Sequence, residues 1–115
     1  MARLISVHEM ELLPGVNEAE FEQFVIVELL PGIPFKGCIQ HLAKGDRGVR
    51  NGKYAIIIEV DTSDRDRYSP ADNQLSEEGQ RLAETMSELE TKLGMFSSTM
   101  PGVNTVYTDY VILDK

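Results

Sequence analysis

The sequence predicts an α+β domain in which a four-stranded antiparallel sheet carries helices on one face. Segments with apolar residues at every second position alternate with segments in which apolar residues recur at helical spacing. Their order along the chain is strand, helix, strand, strand, helix, strand, which is the split βαβ arrangement. The 115 residues fit a single domain over 1–115, which can bury about two-thirds of its unfolded surface in one core.

The first strand is predicted over residues 3–13, because polar and apolar positions alternate there until Pro14-Gly15. One face of this strand would carry Leu4, Ser6, His8, Met10 and Leu12. The first helix is predicted from Glu18 to Leu29. Asn17 is a suitable N-cap, Glu20 stands at the capping-box position, and Pro31-Gly32 ends the segment.

The second and third strands are predicted over residues 37–43 and Lys53–Thr62, on either side of a glycine-rich stretch, AKGDRGVRNGKY. A phosphate-binding loop would need a following helix and a Gly-Lys-Ser/Thr sequence, whereas a strand follows here. We therefore interpret the stretch as a hairpin connection. Either Asn51-Gly52 forms a tight turn, or residues 45–52 form a longer loop.

The second helix is predicted from Ser76 to Phe96, where Leu82, Met86, Leu89 and Leu93 recur at the spacing of one helical face. Before it, Ser63 is a candidate cap for a short turn through Arg67, and the polar segment YSPADNQ is predicted to be a loop. The final strand is predicted over residues 103–114, which are rich in β-branched and aromatic side chains.

Two strands carry apolar residues at consecutive positions, over residues 56–58 and 111–113. Such strands present apolar side chains to both faces of the sheet, and helices on one side cover only one face. The pattern is that of a ferredoxin-like βαββαβ plait with strand order 4-1-3-2. Its second sheet face would be buried in a two-fold homodimer.

Composition excludes several classes of protein. The net charge of −8 disfavours nucleic-acid binding, because the phosphate backbone would be repelled. No apolar run suggests a signal peptide or membrane segment. A single cysteine, Cys38, excludes an internal disulfide and disfavours a structural metal site. We expect a cytoplasmic protein without a metal or cofactor.

Several short stretches accompany the predicted element order. These are the Pro-Gly after the first strand, the helix opening EFEQF, and the KGDRG, GKY and SDRDRYSP stretches. In its element order and in these stretches, the chain resembles the dimeric α+β barrel superfamily. The similarity is to small uncharacterised, NIPSNAP-like or antibiotic-biosynthesis-monooxygenase-like members, and it covers nearly the whole chain in pattern. It implies a fold and dimerisation. The superfamily includes monooxygenases, haem-degrading enzymes, small isomerases and proteins without an assigned reaction, so the fold does not choose an activity.

Two departures argue against particular activities of that superfamily. The chain has no tryptophan, which the cofactor-independent monooxygenases and haem degraders of this fold commonly use near the substrate. The predicted helix over residues 76–96 has no histidine, although the haem-degrading relatives carry their iron ligand there.

The candidate catalytic residues are the two histidines, His8 on the first strand and His41 on the second. In a plait of order 4-1-3-2 the third strand separates them, so a shared metal is not expected. Either imidazole could act as a general base at neutral pH, or be hydrogen-bonded structurally or at a dimer interface. Cys38 is interpreted as a packed residue, because His41, three positions along the strand, points to the opposite face.

The candidate ligand-binding residues are Tyr54, Arg47 and Tyr68, expected in or at the mouth of a pocket between sheet and helices. The alternative for the charged stretch at residues 64–68 is local ion pairing, and Arg47 could be solvated. Paired glutamates on the second helix are interpreted as solubilising.

Three functions remain open from the sequence. The first is a homodimer that binds a small, largely apolar ligand. The second is a cofactor-independent oxygenase or isomerase in which a strand histidine removes a proton. The third is an assembly or regulatory module without a ligand.

Overall fold

The computed structural model describes residues 2–72, 74–100 and 105–114. Within these residues the chain forms one four-stranded antiparallel sheet and four α-helices, which confirms the predicted α+β class. The strands are β1 (Arg3–Met10), β2 (Ile39–Lys44), β3 (Tyr54–Asp61) and β4 (Tyr107–Val111), and the helices are α1 (Glu18–Phe24), α2 (Thr62–Tyr68), α3 (Glu77–Glu84) and α4 (Ser87–Leu93).

The strand order across the sheet is β2-β3-β1-β4, and β1 pairs antiparallel with both neighbours. The register pairs Ser6 with Asp109 and His8 with Tyr107 across the β1–β4 ladder. Directly paired residues point to the same face of a sheet, so these four side chains share one face. The predicted final strand is shorter than expected, since β4 covers residues 107–111, and residues 103 and 104 lie outside the described ranges.

The first helix begins as predicted. The Asn17 side chain accepts a hydrogen bond from the backbone N–H of Glu20 at 3.0 Å. After α1 the chain continues in π-helical turns over Val25–Leu29 and ends in a 3₁₀ turn over Leu30–Gly32. The helical segment therefore reaches the predicted end at Leu29, with its second half wound more widely than an α-helix.

The predicted second helix is divided into α3 and α4. It starts at Ser76 as expected, and the Ser76 side chain is its N-cap, accepting from the backbone N–H of Gly79 at 3.0 Å. The break follows at Thr85, whose hydroxyl donates to the Leu82 carbonyl at 2.6 Å. The backbone N–H of Thr85 bonds the same carbonyl at 3.1 Å, so the turn is tightened and a separate helix starts two residues later.

A full helix, α2, occupies the position where the sequence predicted only a short turn. The Arg67 guanidinium donates two hydrogen bonds to the Glu78 carboxylate, at 2.8 and 2.7 Å, and so connects α2 to α3. A Cβ atom on Gly79 would overlap the Tyr68 carbonyl oxygen, which shows how closely the two helices approach. This packing holds Tyr68 in a buried position at the end of α2.

The core lies between one face of the sheet and the helices α1 and α4. Its strand members, Met10, Tyr54 and Ile56, all point to the same face. The cluster is completed by residues of α1, the π-helical turns, α4 and the turn before α4: Phe21, Phe24, Val25, Leu29, Met86 and Leu93. These buried residues define the face of the sheet that the helices cover.

The opposite sheet face, called here the open face, is also apolar. Ile5, Val7 and Ile57 lie half-buried on its central strands. Towards its edges Ile39 is 53% exposed and Tyr110 is 58% exposed. The expectation that β3 presents apolar side chains to both faces is confirmed, because Ile57 lies opposite the buried residues of its strand.

The glycine-rich stretch connects β2 to β3 as a long hairpin loop. The backbone N–H of Gly45 donates to the Lys53 carbonyl at 2.7 Å, and that of Gly52 donates to the Gly45 carbonyl at 2.8 Å. Gly48 and Gly52 have φ values of +100° and +79°, which favour glycine. A strand follows the loop, which confirms the predicted hairpin connection in place of a phosphate-binding loop.

None of the helices over the described residues combines the length and the apolar character required to cross a membrane.

Candidate functional site

A cleft of about 900 Å³ opens on the helix-bearing face of the sheet, beside the main core. Its floor is formed by β1, β3 and β4, and its far wall by α2 and the segment that follows it. Most of the lining is apolar or aromatic, including Leu4, Ile58, Val60, Phe35, Tyr68 and Leu75. A concave apolar site with a few polar groups has the character of a small-molecule pocket.

The polar groups of the cleft form one continuous chain of hydrogen bonds. Arg65 on α2 donates from Nη1 to Asp109 Oδ2 at 3.0 Å. The Ser6 hydroxyl donates to the other carboxylate oxygen, Asp109 Oδ1, at 2.6 Å. His8 Nε2 lies 2.8 Å from Ser6 Oγ and ends the chain. The β1–β4 register makes this chain possible because it places Ser6 opposite Asp109.

The hydrogen-bond chain determines the tautomer of His8. A serine hydroxyl has a single proton, and an ionised carboxylate can only accept, so the Ser6 proton points to Asp109. Ser6 Oγ must then accept from His8, which places the imidazole proton on Nε2. The other nitrogen, Nδ1, keeps an available lone pair. It is buried and has no hydrogen-bond partner among the described residues.

Burial keeps the His8 side chain uncharged. The residue is only 8% exposed. Burial lowers the pKa of His8 below its usual value, and the nearby negative charge of Asp109 opposes part of this shift. The imidazole is therefore neutral at pH 7, and its Nδ1 can accept a hydrogen bond or a proton.

This arrangement differs from the triad of serine hydrolases, although the same three residue types are present. In a hydrolase the histidine stands between the carboxylate and the serine and removes the serine proton. Here the serine stands in the middle and gives its hydrogen bond to Asp109. Ser6 consequently positions His8, which lines the cleft and whose buried Nδ1 has unused hydrogen-bonding capacity.

Aromatic rings flank the histidine and the far wall. The ring of Tyr107 stacks on His8, with centroids 5.4 Å apart and planes inclined by 13°. Across the cleft, Phe35 meets Tyr68 edge to face at 5.0 Å. The Tyr68 hydroxyl accepts from the backbone N–H of Lys36 at 3.1 Å, and the Arg67 guanidinium lies over the Tyr68 ring, 5.4 Å from its centroid. Such walls suit a planar ligand.

Cys38 also lines the cleft and is partly buried. Burial raises the pKa of this thiol, and the negative charge of Asp64 raises it further. The thiol is therefore protonated at neutral pH and is a poor nucleophile, in agreement with its interpretation as a packed residue.

Of the five predicted site residues, the structure brings His8 and Tyr68 together in the cleft. His41 lies on the open face, 3.5 Å from Glu59, so the two histidines are on opposite sides of the sheet. Which histidine faces a pocket was open from the sequence, and the structure selects His8.

Tyr54 and Arg47 do not line the cleft. Tyr54 is buried beneath α1, where its hydroxyl donates to Glu22 and Glu18. Burial, together with these carboxylates, raises the pKa of Tyr54. Arg47 projects from the hairpin loop with its side chain 94% exposed.

Sequence reasoning did not identify Ser6, Asp109, Arg65 or Tyr107 as site residues. The two-residue spacing of Ser6 and His8 on one strand was a signal that they share a face. The pairing of Ser6 with Asp109 depends on the register between β1 and β4, which brings together residues about one hundred positions apart in the chain. No sequence pattern indicated that register.

Over the described ranges, no group of three or more His, Cys, Asp or Glu side chains is arranged to hold a metal ion. Comparison of the chain with known protein families, curated proteins and solved structures finds no match. The assignment of a function therefore depends on the geometry of the cleft.

The lowered pKa of His8 predicts a specific pH dependence of stability. Because the folded pKa lies below the unfolded value of about 6.5, the unfolded state binds the proton first. The His8 contribution is complete above the unfolded pKa and is lost as pH falls through the folded pKa. We expect the free energy of unfolding to fall more steeply below about pH 6.5 in the native chain than in His8→Gln, by up to ~1.4 kcal/mol per pH unit.

Urea unfolding followed by far-ultraviolet circular dichroism, at constant protein concentration, measures this difference. His41→Gln is the comparison variant, because it removes the other histidine of the chain, which lies on the open face and not in the cleft. The two variants are compared in the same oligomeric state. Parallel pH dependence of the native chain and His8→Gln would contradict the burial of a neutral His8.

Proposed function

We propose that this protein binds a small, planar, largely apolar molecule in the cleft, and that an O–H or N–H group of the ligand donates to His8 Nδ1. The observation that carries the proposal is the unpartnered Nδ1 of a histidine that lines the cleft. Because Nδ1 is buried, a ligand donor reaches it only with a small shift of the side chains that cover it. A buried acceptor without a partner costs free energy, so a ligand that supplies a donor there is stabilised by more than its apolar contacts.

The dimensions and the walls of the cleft support the same proposal. Its volume of about 900 Å³ lies in the range of small-molecule sites. The aromatic side chains Phe35, Tyr68 and Tyr107 line the cleft and give it an apolar, aromatic surface for such a ligand. A module that acted only through its assembly surface would not require a preorganised hydrogen-bond chain inside a cleft.

We further propose that the chain is a ferredoxin-like plait which forms a homodimer through the open face, as in a dimeric α+β barrel. The strand order β2-β3-β1-β4 supports the plait. Support for the dimer comes from the apolar residues Ile5, Val7 and Ile57, which no described helix covers. Because the cleft lies on the other side of the sheet, dimerisation through the open face leaves it accessible.

The binding proposal predicts discrimination between a phenol and its methyl ether. Both para-ethylphenol and para-ethylanisole fit an aromatic cleft, but only the phenol has a hydroxyl proton for Nδ1. We expect the native chain to bind the phenol about tenfold more tightly, which is the range for satisfying a buried acceptor. Titration followed by proton–nitrogen correlation NMR measures both affinities and locates the shifted residues.

His8→Gln is the test variant, because a glutamine amide reaches the position of Nε2 and keeps the contact with Ser6 while removing the acceptor at Nδ1. It should lose the preference for the phenol, whereas His41→Gln should keep it. Equal affinity of the native chain for phenol and ether would contradict the role of Nδ1.

The dimer proposal predicts that a charge at the centre of the open face prevents association. Ile57→Asp would bury an unpaired carboxylate in the interface, and we expect a monomer by native mass spectrometry where the native chain is a dimer. Val49→Asp, at a fully exposed loop position, is the control and should remain dimeric. A monomeric native chain would contradict the proposed dimer. In the same spectrum, mass in excess of the chain that disappears on denaturation would reveal a retained ligand.

Proton abstraction from carbon is the second candidate function, and the neutral His8 with its available lone pair favours it. The base required by a cofactor-independent oxygenase or isomerase needs this protonation state near neutral pH. Nδ1 would take a proton from a carbon next to a carbonyl group; the electron pair of the C–H bond would form the C=C bond of an enolate while the π pair of the carbonyl moves to its oxygen.

Exchange of carbon-bound hydrogen for deuterium tests this candidate. Phenylacetone in heavy water offers an acidic C–H group on an apolar aromatic frame. We expect exchange faster than the buffer rate with the native chain and with His41→Gln, and loss of the enhancement in His8→Gln. An enhancement that survives in His8→Gln would remove His8 as the base.

A further inference from the structure

We propose that the cleft selects its ligand by charge: it excludes anions and prefers an aromatic molecule whose polar tail carries a positive charge. This inference rests on the proposed function, since it concerns the ligand that donates to His8. It specifies the chemical class of that ligand as a phenol-like or anilide-like ring with an ammonium or neutral tail.

The ionisable side chains that line the cleft are predominantly acidic. Among the lining residues that the structure describes, the charged ones are Asp66, Asp72 and Asp109 and a single cation, Arg65, while His8 is neutral. These side chains give the described part of the cleft a net charge of −2, in a chain whose net charge is −8. A ligand carboxylate or phosphate entering this partly enclosed space would meet like charges.

The one guanidinium of the cleft is already engaged by two carboxylates. Arg65 Nε donates to Asp66 Oδ1 at 2.8 Å, and Nη1 donates to Asp109 Oδ2 at 3.0 Å. A ligand anion would have to displace one of these partners to reach Arg65. Displacing Asp109 would also disturb the hydrogen bond that positions Ser6 and His8.

Asp72 is the carboxylate that remains available for a ligand cation. Its side chain accepts a hydrogen bond from the Tyr107 hydroxyl, and it has no ion pair with any of the described residues. Tyr107 connects this carboxylate to the histidine, because its ring stacks on His8. A ligand bound at Nδ1 therefore shares the cleft with a negative charge that no described cation neutralises.

Three probes separate the effect of charge from that of shape. Tyramine, para-ethylphenol and phloretate have the same ring and the same phenolic donor, with cationic, neutral and anionic tails at pH 7. We expect affinity to fall in that order, by about fivefold for each change of charge at low ionic strength, and the differences to shrink as salt is added. Proton–nitrogen correlation NMR gives the dissociation constants.

Protection of Cys38 reports binding inside the cleft by an independent chemical route. It is the only cysteine of the chain and lines the cleft, so a bound probe should slow its alkylation by a maleimide. Tyramine should protect it at lower concentration than phloretate.

Asp72→Asn tests the carboxylate itself, because asparagine keeps an acceptor for the Tyr107 hydroxyl and removes the charge. We expect this variant to lower the ratio of tyramine affinity to phloretate affinity about fivefold. Asp46→Asn makes the same change of net charge on a fully exposed side chain of the hairpin loop, away from the cleft, and should leave the ratio unchanged.

The outcomes separate this inference from the proposed function. If phloretate binds as tightly as tyramine, or if Asp72→Asn leaves their ratio unchanged, charge selection is overturned. A retained preference for para-ethylphenol over para-ethylanisole would then still support binding at His8. If none of the phenols shifts cleft residues or protects Cys38 at millimolar concentration, the proposed function is overturned together with the inference.

Discussion

The single proton of the Ser6 hydroxyl is the constraint on which the site depends. Because the Ser6 hydroxyl donates its hydrogen bond to Asp109, its oxygen can only accept from His8. The imidazole is thereby held as one tautomer. The lone pair is fixed on Nδ1 without a direct hydrogen bond between Asp109 and His8. In metal sites a carboxylate commonly orients the histidine by a direct hydrogen bond, whereas here the Ser6 hydroxyl lies between the two and burial keeps the ring neutral.

The position of β1 in the sheet explains how one small domain could carry both proposed functions on separate surfaces. It pairs with β3 on one side and β4 on the other, so its alternating side chains reach both the helix-bearing face and the open face. Ser6 and His8 line the cleft, while Ile5 and Val7 point to the open face. The proposed association through one face and the proposed ligand binding on the other would require no shared side chains, although both depend on the same backbone.

Much of the fold was predictable because its signals are local. The Asn17 cap, the helix start at Ser76 and the two-residue alternation of β1 act within a few residues, and each was identified correctly from the sequence. The division of the second helix was missed, because the apolar spacing is continuous through residue 85. The break comes from the hydrogen bond of the Thr85 hydroxyl to a backbone carbonyl, which competes with the helical backbone hydrogen bonds. The helix α2 was underestimated because its stability depends on contacts with α3.

The sequence by itself determined the α+β class, the identity of the two candidate histidines and the presence of apolar residues on both sides of β3, since these follow from composition and periodicity. Only the tertiary structure decided that His8 lies in the cleft and His41 on the open face, because that choice requires knowing which face the helices cover. It also brought Asp109 to Ser6 across about one hundred residues of chain. A hydrogen bond of that separation is specified by strand register, which depends on the packing of the whole sheet rather than on any local pattern.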